Sequence, residues 1–295
     1  MISIDHTKCK ACGICGTVCP RHILETTTKN DRKQTLVSQH REQLCMACGH
    51  CSAVCPNDAI AAQGLPLNDF KSVRPGEISR DNLLTLMEQR RSVRRYKDRP
   101  VPRETLDRII GACRRAPTGT GRPSTGVLVI DQPEYLEALS GLIHDVYQGL
   151  EKALANPVAR LIIKRRVGNK KYHTLKDFVM PGMHWYLRWK KEGRGDEILR
   201  DCKALMLFHS PIHEPMGETN SALSAFHAIL MAEVLEVGTC FNDLIPPACN
   251  RSAKIRKFID LSKDREIYAS LTMGFPKYKF RKVIPKKLAE VRYMD

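Results

Sequence analysis

The sequence predicts an α+β chain in two parts: a small cysteine-rich module, then a larger domain in which a central mixed sheet is flanked by helices. Three observations carry that prediction. Eight of the twelve cysteines fall before residue 56, in two evenly spaced runs. A connector containing prolines and glycines follows them. Beyond it, short apolar runs of strand length alternate with longer segments of helical period, the pattern of a sheet and helices sharing one core.

Composition bounds the class of protein. A chain of 295 residues has room for a small module and a domain of about 200 residues with its own core. Its 42% apolar and 27% charged content is ordinary for a soluble globular protein. The uncharged stretch from Thr219 to Ala232 is 14 residues long, short of the roughly 20 needed to cross a bilayer, so no membrane span is expected. The N-terminus lacks a basic region followed by an apolar run, so no secretory signal is expected. Twelve cysteines without an export signal argue for metal rather than disulfides and for a cytoplasmic location.

The first element is the cysteine pair itself. In "CKACGICGTVCP" Cys9, Cys12, Cys15 and Cys19 precede Pro20, and in "CMACGHCSAVCP" Cys45, Cys48, Cys51 and Cys55 precede Pro56. Both fit C-x2-C-x2-C-x3-C-P. The two-residue gaps let three thiolates converge on one cube while loop N–H groups turn inward and offset its negative charge. Gly13 and Gly49 supply the backbone freedom. Zinc is the alternative occupant, but a tetrahedral ion needs four ligands and has no use for this rhythm twice over. Residues 1–62 thus resemble a bacterial two-cluster ferredoxin, which implies two [4Fe-4S] clusters. The resemblance also implies that each fourth cysteine serves the other cluster: Cys9, Cys12, Cys15 and Cys55 for one, Cys45, Cys48, Cys51 and Cys19 for the other.

Charge divides unevenly along the chain. Up to Ala62 there are seven Lys or Arg against five Asp or Glu, leaving 41 against 27 for the rest. Each cluster would add a charge of about −2 to the head. The basic remainder suits an acidic partner, a nucleic acid or a phosphate-bearing cofactor.

Residues 63–79, "QGLPLNDFKSVRPGEIS", read as a linker, and residues 80–295 as the second domain. A helix capped by Ser79 presents Leu83, Leu84 and Met87 on one face. Another begins at Val101–Pro102 and sets Leu106, Ile109, Ile110 and Cys113 at helical spacing. Strands are expected at 125–131, 204–210 and 266–274, with helices at about 133–155, 219–237 and 247–260. The helix over 219–237 is apolar nearly all round, through Leu223, Phe226, Ile229, Leu230, Met231, Val234, Leu235 and Val237, which places it in the middle of a core or in a subunit interface.

The second chemical motif is "QRRSVRRYKDRPVP". Arg90, Arg91 and Ser92 offer two guanidinium forks and a hydroxyl to one small anion, which is phosphate chemistry; the plain alternative is a solvated charge run at a helix C-terminus. Together with "APTGTGRPS" from Ala116, "VGTCFND" from Val237 and "MGFPKYKFRKVIPKK" near the end, the motif resembles, in order, the elements of the FMN-dependent nitroreductase family over about 80–290. The resemblance implies FMN at a homodimer interface. Arg90, Arg91 and Ser92 would hold its phosphate, with Lys286 and Lys287 reaching it from the C-terminal arm. Arg94 would lie near N1 and O2 of the flavin ring, where a fixed positive charge favours the reduced anion. Pro117, Thr118 and Gly119 would come from the other subunit, and Asn242 and Asp243 would approach the N5 side, mainly through backbone.

The sequence departs from the family pattern in two places. Gly121, Pro123, Ser124 and Thr125 stand where the family has Asn and then Gln-Pro-Trp. The segment 142–201, with "KRRVGNKK", "HWYLRWKKE" and Trp185 and Trp189 four apart, fits poorly and reads as ordinary packing or as a lid over the flavin. His209 and His213 are set aside as zinc ligands because Pro211 breaks any helix that would align them. Cys113, Cys202, Cys240 and Cys249 read as small buried hydrophobes. No GxGxxG loop supports a Rossmann nicotinamide site, and the scattered basic residues come with no nucleic-acid motif. The expected protein is an iron–sulfur flavoprotein oxidoreductase that takes electrons from an external one-electron donor or NAD(P)H and passes them through two clusters and FMN to a small acceptor of the nitroaromatic, quinone or activated-alkene class. No side chain is singled out as catalytic. The alternatives are a flavin electron carrier with no small substrate of its own, and flow from NAD(P)H through FMN to the clusters.

Overall fold

The structure, a computed structural model, describes residues 2–29, 31–73, 76–119, 123–285 and 289–294. The chain forms two compact units, one of residues 1–79 with 118–123, the other of residues 80–117 with 124–295.

The first unit runs β1 (Ile2–Ile4), α1 (Ile14–Thr17), β2 (Leu24–Lys29), β3 (Arg32–Val37), α2 (His50–Val54) and β4 (Ile60–Ala62). β1 pairs antiparallel with β4, and β2 with β3. Each short helix starts from a left-handed glycine, Gly13 at φ 79° and Gly49 at φ 75°, a conformation that costs glycine little. The repetition goes further: Ala11 and Ala47 share φ near 50°, as do His22 and Asp58. The two cysteine runs therefore fold as two copies of one loop. Their shared core is small, with Ile2, Ile23, Leu24 and Ile60 packed on Cys15 and Cys51.

The second unit begins with α3 (Arg80–Gln89), α4 (Arg103–Cys113), β5 (Gly126–Ile130), α5 (Pro133–Ala155), α6 (Pro157–Val167) and α7 (Asn169–Thr174). A π-helical turn over Leu175–Val179 leads into α8 (Met180–Lys191). Then follow β6 (Ala204–Pro211), α9 (Gly217–Val234), β7 (Gly238–Phe241), α10 (Ile245–Arg251), α11 (Ala253–Phe258) and β8 (Arg265–Gly274). The sheet order is β5-β6-β8-β7 with antiparallel pairing at each step. Among the described residues its one parallel element is the bridge from Ser92 to Thr239, so the sheet is mixed only along its β7 edge.

Helices cover both faces. Along β6, Leu205 and Leu207 point into a core shared with Leu139, Ile143 and Met183, while Met206 and Phe208 point into another shared with Leu106, Ile109 and Ala228. Burial on both sides is why this strand is a continuous apolar run with no polar alternation.

Three expected elements come out differently. The helix expected at 247–260 is two, α10 and α11, because Ser252 is extended and its Oγ accepts from Ile255 N at 3.3 Å to cap the second. The "VGTCFND" stretch, where no strand is expected, contains strand β7. The apolar helix, α9, packs largely through small residues, with Ala225, Ala228, Ala232 and Ser224 buried beside Ile229, and leaves Phe226 and Val234 exposed; the short side chains permit close approach to the sheet. The segment 142–201 is mostly helical, and Met183 and Leu187 of α8 join the core. Trp185 is exposed, and a guanidinium lies over each indole, Arg188 over Trp185 and Arg194 over Trp189. Among the described residues no helix is long and apolar enough to cross a membrane.

Candidate functional site

In the first unit the thiols gather around the two copied loops. One cavity is lined by Cys45, Cys48 and Cys51 of the second run and by Cys19 of the first. The fourth cysteines are held alike, Cys19 Sγ accepting from Ile23 N at 3.5 Å and Cys55 Sγ from Ala59 N at 3.3 Å. Burial pushes the Cys15 and Cys51 thiols up, and neighbouring thiols, Cys12 and Cys51 for the first and Cys48 and Cys19 for the second, push the same way. Thiols so crowded ionise readily only around positive charge, which a metal core supplies. Eight soft donors in two matched loops with N–H groups aimed at sulfur fit two iron–sulfur cubes. Among the described residues no three His, Cys, Asp or Glu side chains converge where a single metal ion would sit.

In the second unit the segment after α3 lies along the sheet edge. Val93 N donates to Thr239 O at 2.8 Å, Lys97 N to Phe275 O at 2.8 Å, and Lys277 N to Arg95 O at 3.0 Å. Two glycines permit this. A Cβ on Gly238 would fall 2.7 Å from Val93 Cβ, and one on Gly274 would fall 2.9 Å from Tyr96. Tyr96 Oη is buried 2.8 Å from Val93 O and 2.9 Å from Thr272 O, and burial drives its pKa upward. Arg95 makes a two-pronged pair with the buried Glu197 carboxylate, which Arg200 meets at 3.5 Å. That pairing raises the Arg95 pKa.

The structure therefore brings "RRSVRRY", "VGTCFND" and "MGFPKYKF" together from three distant parts of the chain. Beside them opens a groove with Arg91, Lys97, Arg99, Lys279, Arg281 and Lys282 among its lining residues, against Glu233 and Glu236. Such a cationic surface suits a phosphate ester. Arg90 and Arg91 both act on Glu233, whose carboxyl burial nonetheless holds above its ordinary range.

The individual site residues have varied surroundings. Arg91 spends its fork on backbone, Nη1 donating to Glu88 O and Arg90 O and Nη2 to Lys282 O. Arg94 is exposed. Asn242 is buried with its groups engaged: Nδ2 donates to Ile198 O at 2.6 Å, Oδ1 accepts from Leu244 N, and its N–H donates to Ser270 O. Asp243 is exposed. Pro117 belongs to the second unit, Thr118 and Gly119 to the first. Lys286 and Lys287 lie outside the described residues, as does Gly121. His209 sits on a strand, its Nδ1 accepting from Arg265 Nε at 2.6 Å. Cys113, Cys202, Cys240 and Cys249 are all buried, and burial raises the thiols of Cys113 to about 11 and of Cys202 and Cys249 to about 12. Sequence reasoning did not find the Tyr96–Thr272 contact or the Arg95–Glu197–Arg200 cluster, and no local signal announces either.

A sheet between two helical layers with a cationic segment clamped to its edge, preceded by a module of paired cysteine loops, defines a redox protein. Residues 87–275 match the model of the nitroreductase family, and residues 8–59 that of the 4Fe-4S dicluster domain. The chain belongs to the nitroreductase family and carries an N-terminal 4Fe-4S dicluster region. Its fold is shared with a nitroreductase with bound FMN from Bacteroides fragilis NCTC 9343, at TM-score 0.55 and 15% identity over 72% of this chain and 98% of that one. A nitroreductase with bound FMN from Desulfitobacterium hafniense DCB-2 aligns at TM-score 0.52 and 15% identity, over 72% and 97%. A curated relative, the "Putative NADH dehydrogenase/NAD(P)H nitroreductase" of Methanothermobacter thermautotrophicus strain Delta H, is 33% identical over 64 residues, 22% of this chain. The chain spans 34% of that relative's length.

Proposed function

We propose that the protein is an iron–sulfur flavoprotein oxidoreductase with domains at 1–62 and 80–295 joined by a linker at 63–79. It holds two [4Fe-4S] clusters on its cysteines and FMN on the "RRSVRRY" edge, and reduces a small organic acceptor of the nitroaromatic, quinone or activated-alkene class. The observation that carries this reading is one chain with two matched thiol loops and, in a nitroreductase fold, a cationic groove beside a clamped arginine segment. When bound, the clusters supply single-electron transfer and FMN supplies hydride transfer.

The chain's own residues have separate tasks. The eight cysteines of the two runs anchor the clusters, and the N–H groups of Ile23 and Ala59 steady the two sulfurs that cross between loops. Arg90 and Ser92, with Lys286 and Lys287, bind the FMN phosphate, and Arg91 fastens their segment to the C-terminal arm. Arg94 lends positive charge to the ring, and Pro117, Thr118 and Gly119 reach it from a second copy. Asn242 orients its turn so that Asp243 faces the cofactor. A homodimer accounts for the apolar side chains left exposed on α3 and α9, among them Leu84 and Val234. The chain's twelve cysteines, better suited to metal than to disulfides, favour action in the cytoplasm.

Anaerobically prepared protein should contain about eight irons and one FMN per chain and elute as a dimer. After reduction it should turn over members of the acceptor panel. Protein without flavin defeats the proposal, and protein with flavin that reduces no acceptor is an electron carrier. Bleaching by NADH or NADPH alone identifies a nicotinamide donor, the chemistry in the name of the Methanothermobacter relative.

A further inference from the structure

The two cysteine loops repeat at an interval of 36 residues, so each position in one has a counterpart in the other. Their backbones agree and their surfaces do not. In the second loop Gly49 is buried, and a Cβ there would lie 3.0 Å from Leu65 Cδ1 and 3.5 Å from Phe70 Cζ, both in the same unit. In the first loop a Cβ on Gly13 would touch only Thr26, at 3.6 Å and beyond. Cys12 is exposed where its counterpart Cys48 is half-buried. Ile14 and Val18 are open beside it.

Charge follows the same asymmetry. From residue 5 to 22 there are three cations, Lys8, Lys10 and Arg21, against Asp5 alone. Asp5 already receives Thr7 N and lies 3.7 Å from Lys8 Nζ. The matching positions in the second loop are Leu44, Met46 and Asn57, and Asp58 stands where the first loop has His22. All three cations of the first loop are exposed.

We infer that the first loop is the docking face for an acidic one-electron carrier protein, and that the second loop is not. The inference rests on the proposed function, since it needs a cluster behind the loop. An exposed apolar pair on a loop that also carries three exposed cations is the makeup of a small, transient interface, steered by charge and weakened by salt. Cys12, itself exposed on this loop, shortens the path between the redox groups. On contact the carrier is oxidised by one electron and the group held by the first loop is reduced by one, with no proton moved and no bond formed.

The test uses the full-length holoprotein and a reduced acidic two-cluster ferredoxin as the probe, reading its Kd and its oxidation rate by stopped flow. Thr17 and Ala53 occupy matching, exposed positions and supply an internal control. Lys10→Glu and Thr17→Glu should each weaken binding and slow transfer about three- to tenfold at low ionic strength, with the gap closing as salt is added. Ala53→Glu should leave both unchanged. With iron content at the wild-type level in every variant, equal losses for Thr17→Glu and Ala53→Glu, or none for Lys10→Glu, overturn the docking face and leave the proposed function standing. Binding to phosphatidylglycerol vesicles in place of the probe also overturns it. Wild-type holoprotein without iron overturns both.

Discussion

The cysteine module and the arginine edge of the larger unit both gather cationic or soft donors around a site, and they do so by opposite means. In the module, cysteines three and four residues apart sit on loops that the chain folds locally, and in the proposed arrangement only Cys19 and Cys55 serve the other copy. At the edge, the residues that would meet a phosphate depend on contacts nearly 200 positions away, Arg91 with Lys282 and Tyr96 with Thr272. A site of the first kind fails when a ligand is lost. A site of the second kind fails when the approach of two backbones is disturbed, even far from any ligand.

That contrast breaks most visibly at Cys19. Replacing it with Ala removes a thiol from the cavity it shares with Cys45, Cys48 and Cys51, and iron analysis should show about half the metal lost, with the small unit destabilised because its core is so slight. Unchanged iron would mean that the two runs do not exchange ligands. Gly238→Ala tests the edge. The new methyl would meet Val93 Cβ at 2.7 Å, so stability should fall by about 1–3 kcal/mol and FMN binding by more than tenfold, while iron content stays whole.

A smaller loss is expected from Tyr96→Phe, which leaves Val93 O and Thr272 O without their buried donor; chemical denaturation should register about 1–2 kcal/mol. The smallest effect is one of pH. Burial, and then the Arg265 guanidinium, lower the His209 pKa, so the unfolded chain binds that proton more readily than the folded one. This contribution to stability is complete above the ordinary histidine value of about 6.5 and declines as pH falls through and below it. Thermal melts of His209→Gln should show a shallower acid-side decline than the wild type.

Legibility followed the same division. The proposed cluster ligands stand out in the sequence because a thiol at each of eight set positions has few other physical reasons to exist. Strand β6 was legible because a segment buried on both faces must be apolar throughout. Strand β7 was not, since "GTCF" is too short to declare a period and becomes a strand only by pairing with β8. The break at Ser252 was hidden as well, because its apolar flanks keep the helical spacing on both sides of a cap. Asn242 is expected to approach the flavin mainly through backbone, and its side-chain amide bridges Ile198 and Leu244, partners no local pattern names.

The sequence by itself determined the repeat of the two cysteine runs and the order of the family's elements, because local spacing, turn chemistry and apolar period act over a few residues. The tertiary structure alone decided that Gly238 and Gly274 must be glycine, that Arg91 grips backbone, that α9 leaves Phe226 and Val234 exposed, and that one thiol loop is covered while its twin is open. Each depends on which distant atoms arrive within van der Waals or hydrogen-bond range, and such distances exist only once the chain has folded.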